Sequence, residues 1–193
     1  MEKFQKAIWA ILMVISIVKN SECIVLTRDL LESWYPDLTT RVSVKLSNRG
    51  IVSIEPNAFS GLSNLDELDL SSNKIASFDS GAFNGLVNLK DLGLFNNKIA
   101  SVGPKTFSGL INLELLDLRY NEIALIDVGA FNSLPRLKYL GLLSNKIATV
   151  PNTIFTGLNN LEFVDLYHNP VYQTYGQPYL QSLCDPNPRC VVY

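Results

Sequence analysis

Five leucines, Leu65, Leu89, Leu113, Leu137 and Leu161, fall 24 residues apart. Each opens the same string: LDELDLSSNKI, LKDLGLFNNKI, LELLDLRYNEI, LKYLGLLSNKI and LEFVDLYHNPV. The shared pattern is L-x-x-L-x-L-x-x-N-x-I. A divergent sixth copy precedes them, with Val44, Leu46 and Ile51 in register but Arg41 and Arg49 at its first leucine and asparagine positions. So short a unit cannot bury its own apolar face, so the copies must stack and share one continuous core.

The spacing inside the string predicts the local structure. Within x-L-x-L-x, side chains alternate across a short strand, so the second and third leucines of each copy point the same way. Stacking then joins the strands into a parallel sheet with leucines in buried files. Each buried Leu or Ile contributes about 1.5–3 kcal/mol, provided that a neighbouring copy covers it. Asn73, Asn97, Asn121, Asn145 and Asn169 stand where the chain leaves the strand. Their amides are expected to pair with backbone groups of their own and the adjacent copy, forming a structural ladder rather than a binding site. The second half of each copy ends in NAFSGL, GAFNGL, KTFSGL, GAFNSL or TIFTGL. Phe59, Phe83, Phe107, Phe131 and Phe155 are therefore expected to stack as a core spine, beside brief helical turns.

Over residues 41–171, this string with its A-F-x-G-L half resembles the typical extracellular leucine-rich-repeat class of Toll-type receptor ectodomains, Slit proteins and small secreted leucine-rich proteins. The resemblance implies an α/β leucine-rich-repeat solenoid, curved, with a parallel concave sheet that binds another macromolecule.

The ends set the organisation of the chain. Lys3 and Lys6 precede an apolar run from Ala7 to Val18, the pattern of a secretory signal peptide over residues 1–21. At about 1.5 Å per residue the run falls short of the ~30 Å bilayer core, so an uncleaved anchor is the weaker alternative. Removing Lys3, Lys6, Lys19 and Glu2 would take the formal charge from -2 to -4. The reading is a secreted, extracellular protein with no membrane span in the mature chain. Nucleic acid is not an expected partner, because phosphate contacts need clustered positive charge.

Residues 22–40 are expected to cap the first repeat with a helix, with Thr27 as N-cap and Leu26, Leu30, Leu31 and Trp34 on one apolar face. Residues 172–193 are expected to cap the last. Members of the resembled class usually carry a four-cysteine N-terminal cap; here that region holds Cys23 alone. Cys184 and Cys190 flank a proline-rich turn and form a good disulfide pair, contributing about 2 kcal/mol in the loop-entropy picture. Cys23 is left unpaired or bridges to a second chain.

Candidate functional residues flank the buried leucines. Toward the N-terminal copies they are acidic: Glu67, Asp69 and Asp91. Further along, Phe95, Leu115, Arg119, Tyr120, Tyr139, Leu143, Phe163 and Tyr167 make a contiguous apolar and aromatic face. Such a patch rimmed by charge is a candidate interface, and aromatics with arginine are the types enriched at binding hot spots. The competing expectation is that the C-terminal segment folds back over part of this patch as a cap. Gly93 and Gly141 are expected to leave gaps between neighbours.

Catalysis has little material to work with. There is one histidine, His168, and a cysteine–histidine site would have to use Cys184 or Cys190, which are better spent on each other. Asp69, Asp117 and Asp165 would lie roughly 10 Å apart in alternate repeats at the ~4.8 Å strand spacing. An inverting carboxylate pair could span that distance, but an open sheet supplies no cleft. They are too far apart to share a calcium ion. The sequence contains no P-loop, G-x-G-x-x-G, C-x-x-C or N-x-[ST] pattern, so N-glycosylation, metals and cofactors are not expected. The expected function is a non-enzymatic module that recognises an extracellular protein or glycan. The alternative is an accessory subunit of an extracellular complex, joined through Cys23.

Overall fold

The computed structural model describes residues 23–79, 81–185 and 187–193. The expected signal peptide lies outside them. Strand β1 (Ile24–Leu26) and helix α1 (Arg28–Trp34) lead into six strands contributed by the six copies: β2 (Ser43–Lys45), β4 (Glu67–Asp69), β5 (Asp91–Gly93), β7 (Leu115–Asp117), β9 (Tyr139–Gly141) and β10 (Phe163–Asp165). All pair in parallel with no slip, so that Glu67 faces Asp91, Asp91 faces Leu115, Leu115 faces Tyr139 and Tyr139 faces Phe163. One residue of slip would turn every central leucine out to solvent. Leu68, Leu92, Leu116, Leu140 and Val164 are instead fully buried.

Two short parallel pairs lie outside this sheet, β1 with β3 (Ile51–Ile54) and β6 (Ser101–Val102) with β8 (Leu125–Ile126). The opposite side of the core is the phenylalanine spine. Phe59, Phe83, Phe107 and Phe131 stack successively at 6.1–6.3 Å between centroids. Around them the chain makes single hydrogen-bonded turns such as Leu62 N–H to Phe59 C=O, 3.2 Å, rather than continuous helices. Gly61, Gly85, Gly109 and Gly157, all at positive φ, sit just before the last leucine of their copies and reverse the backbone there.

The asparagine ladder holds the turns. Asn121 shows the pattern: its Oδ1 accepts the Ile99 N–H at 3.1 Å, while its Nδ2 donates to Leu94 C=O at 2.9 Å and Leu118 C=O at 3.0 Å. One amide thus ties three backbone groups from two copies, inside a turn that water does not reach.

The ends explain why the outer copies depart from the pattern. Thr27 Oγ1 accepts the Leu30 N–H at 3.1 Å and starts α1, which buries Leu30 and Leu31 over the first repeat. Arg41 and Arg49, the two residues that break the pattern in the first copy, lie over the rings of Tyr35 (4.6 Å) and Trp34 (4.7 Å). They serve the cap instead of the core. At the other end, α2 (Pro170–Ser182) is broken at Gly176, φ +72°, two residues before Pro178, and buries Val171 and Leu180. Cys184 and Cys190 form a buried disulfide, and Cys23 is exposed with a free thiol.

After the disulfide, the chain adds a seventh strand to the sheet, β11 (Val191–Val192), with Val191 beside Phe163. The C-terminal segment therefore extends the sheet, and its rings touch the expected patch where Tyr172 meets Tyr167 and Tyr193 stacks on Phe163. The outer edge of β11 is met by side chains of α2. Gln181 donates to Cys190 C=O at 2.7 Å and accepts the Val192 N–H at 3.0 Å, and Gln177 donates to Val192 C=O at 3.4 Å.

Candidate functional site

Because the central residue of each strand points into the core, its two neighbours must point out. Leu115, Tyr139 and Phe163 consequently stand in one file on adjacent strands, each half-buried. The Tyr139 and Phe163 rings stack at 5.3 Å with an 8° interplanar angle. Tyr193, just beyond β11, continues the stack on Phe163 at 5.1 Å and 23°. The ring faces of this ladder turn toward one another. Tyr193 was not among the expected residues: it lies outside the 24-residue period, and only the seventh strand brings it into the file.

A second aromatic pair sits at the seventh and eighth residues of the copies, beyond the strands. Phe95 and Tyr120 meet edge-to-face at 5.2 Å. Arg119 connects the two groups, its guanidinium 5.8 Å from the Phe95 centroid and 6.0 Å from that of Tyr139. It is fixed by Asp117, whose carboxylate accepts from Nε at 2.8 Å and from a terminal guanidinium nitrogen at 2.6 Å. That two-point bond, and the carboxylate charge behind it, raise the arginine's already high pKa further. Leu143 is half-buried. Tyr167 is exposed, and its ring partners are His168 at 4.3 Å and Tyr172 of α2 at 5.3 Å rather than the ladder. These contacts bring six of the eight expected residues together, Phe95, Leu115, Arg119, Tyr120, Tyr139 and Phe163, while Tyr167 gathers with the C-terminal helix.

The eighth residue of each copy has left-handed backbone: Asn48, before Arg49, and Ser72, Asn96, Tyr120, Ser144 and His168, each before a ladder asparagine, all have φ between +54° and +57°. Asn and His carry this conformation at modest cost. A bulky Tyr does so under strain of about 1 kcal/mol.

Toward the N-terminal copies the face becomes acidic. Glu67, Asp69, Asp91 and Asp117, with Leu115, Arg119 and Tyr139 opposite, line a hollow of about 350 Å³. Ser43 donates to Glu67 at 2.8 Å, and Lys45 stands 3.9 Å from it at the rim. Partial burial pushes the Asp91 carboxyl up from its ordinary value of 3.8, and the neighbouring charges of Glu67, Asp117 and Asp69 push it the same way. Burial likewise raises the Tyr139 phenol.

The three aspartates of one column turn Oδ1 back on the chain, Asp69 accepting the Ser71 N–H at 2.9 Å, Asp117 that of Arg119 at 3.1 Å and Asp165 that of Tyr167 at 3.2 Å. One expectation needs correction: Gly141 leaves no gap. A methyl group there would meet Arg119 Cγ at 3.0 Å and a Tyr139 ring carbon at 3.1 Å, because the arginine stem already fills the space. Gly93 borders the hollow, yet a methyl there would crowd Ser71 Oγ at 3.1 Å. Among the described residues, no three His, Cys, Asp or Glu side chains are placed to hold a metal ion. No helix among them is long and apolar enough to cross a membrane.

Comparison with known proteins agrees with this geometry. The sequence model for leucine-rich repeats matches residues 42–99, 88–147 and 121–171. In three dimensions the chain is similar to a leucine-rich-repeat protein of Leptospira interrogans, with 28% identity and a TM-score of 0.65. The similarity covers 78% of this chain and 36% of that one, so this chain spans about a third of that protein's length. No curated protein matches the sequence.

Proposed function

The chain belongs to the leucine-rich-repeat family, and from that premise we propose that it is a secreted, non-catalytic module that docks a protein on its concave sheet. The observation that carries this reading is the ring ladder Tyr139–Phe163–Tyr193, left open by a C-terminal segment that extends the sheet beside it. Aromatics in a contiguous, partly exposed patch, with a fixed arginine among them, are the residue types from which protein interfaces draw most of their energy. A glycan suits the ladder less well, because sugars stack on ring faces and both faces of Phe163 are taken up by its neighbours. Secretion is supported by the Cys184–Cys190 bond, which persists in oxidising compartments.

Tyr139→Ala combined with Phe163→Ala tests the reading. The double variant should keep the melting temperature within a few degrees and fail to capture the protein partner that the unaltered chain captures from extracellular fluid. Normal capture would remove the concave face from consideration.

A second reading rests on the exposed Cys23 thiol: the chain is an accessory subunit, joined to another by a disulfide. Size-exclusion chromatography with and without reductant separates the two. A larger species that reductant dissolves, and that Cys23→Ser abolishes, supports the subunit reading.

A further inference from the structure

Resting on the reading that the concave sheet docks a protein, we infer the chemistry of the docked segment: an extended stretch that lays a lysine or arginine into the acidic hollow and apolar side chains along the ring ladder. The sheet face is polar in its charge along the solenoid. At β4, β5 and β7, four carboxylates line the hollow, and the one cation among its lining residues, Arg119, is bound to Asp117. Lys45 stands outside at the rim, next to Glu67. Both ion pairs bypass Asp91, which is half-buried and faces the like charges of Glu67, Asp69 and Asp117. A cationic side chain entering there relieves that repulsion, and the ~350 Å³ hollow accommodates an ammonium or guanidinium head with part of its stem. An acidic or neutral side chain gains nothing comparable.

The spacing fixes the rest of the segment. Asp91 lies on β5, and Phe163 lies on β10, three strands further along the sheet. At about 4.8 Å per strand the distance is roughly 14 Å. An extended chain rises about 3.4 Å per residue and returns to the same face every second residue, so four residues cover that distance with every second side chain directed at the sheet. A basic side chain at Asp91 therefore places the second residue beyond it between Leu115 and Tyr139, and the fourth against Phe163. The expected pattern is basic-x-apolar-x-apolar, read along the chain in one direction or the other.

A random twelve-residue peptide display library selected on the immobilised full chain tests this. The unaltered chain should enrich basic-x-apolar-x-apolar peptides. Asp91→Asn with Glu67→Gln should abolish the preference for the basic residue while the apolar preference survives, and should weaken a selected peptide at least tenfold. Tyr139→Ala with Phe163→Ala should do the reverse. Selected peptides that are neutral or acidic, yet still depend on Tyr139 and Phe163, would overturn the inference and leave the concave site standing. Selected peptides indifferent to both double variants would overturn the inference and the concave site together. The absence of any convergent sequence would also overturn the inference, and binding of an oligosaccharide array through the same rings would then reassign the partner to glycans.

Discussion

The asparagine ladder makes a quantitative prediction about coupling between neighbours. Leu94 C=O accepts from Asn97 at 3.1 Å and from Asn121 at 2.9 Å, and Leu118 C=O accepts from both Asn121 and Asn145 at 3.0 Å. In contrast, the Ile99 N–H is served by Asn121 alone. Replacing Asn121 with Ala therefore orphans one buried donor, at about 1–3 kcal/mol, while both carbonyls keep a second partner. With the weakening of those two bonds, the total should be about 2–4 kcal/mol. Replacing Asn97 and Asn121 together removes both partners of Leu94 C=O and orphans that carbonyl as well. The double variant should then exceed the sum of the singles by about 1 kcal/mol or more. Asn73 and Asn145 share no carbonyl: the first serves Leu46 and Leu70, the second Leu118 and Leu142. That pair should add within about 0.5 kcal/mol. Urea unfolding followed by circular dichroism supplies the energies, provided that the slope m stays constant across the set. Equal behaviour of the adjacent and separated pairs would refute the shared-carbonyl account.

Three further outcomes are expected. Leu140→Ala, at a fully buried site in the middle of its file, should lower stability by about 2–5 kcal/mol in the same urea assay. Asp91 holds its proton more tightly in the folded chain than in the unfolded one, so its contribution is present at low pH and lost as pH rises through the folded value. Asp91→Asn should therefore raise the melting temperature at pH 7, and the gain should vanish below the ordinary carboxyl value of 3.8. Gln181→Ala strips the Val192 N–H of its partner. Hydrogen exchange at that amide should accelerate while the amide of Leu92, inside the sheet, stays protected.

What the sequence made legible divides along the repeat. Every position whose side chain faces the core obeys the period, because a buried site admits one size and polarity. The leucine files, the Phe spine and the asparagine turns could therefore be placed from spacing alone. The outward residues of the strands also followed, since alternation fixes which residues face out; Phe95, Arg119, Tyr120, Leu143 and Tyr167 lie beyond the strand ends, where alternation does not decide. The period could not reveal what lies outside it. Val191–Tyr193 carries no repeat signature, and its place in the sheet depends on a broken helix, a disulfide and two glutamines of α2. Gly141 was misread for a related reason. A glycine marks missing volume in a sequence, but the volume belongs to whichever long neighbour bends into it, here Arg119 from the preceding copy.

The left-handed column separates scaffold from surface more sharply than burial does. Its conformation is imposed by the turn out of the strand, since all six copies share it whatever residue they carry, the first with Arg49 in place of the asparagine included. Asn48 and Asn96 suit that backbone, so at those copies the scaffold's preference and the residue agree. Tyr120 does not suit it, yet it is the copy whose ring meets Phe95 and sits one residue from Arg119. Repetition of the pattern would favour Asn there and gain the strain energy back. Within the fold, that strain of about 1 kcal/mol is set against one edge-to-face ring contact, to Phe95.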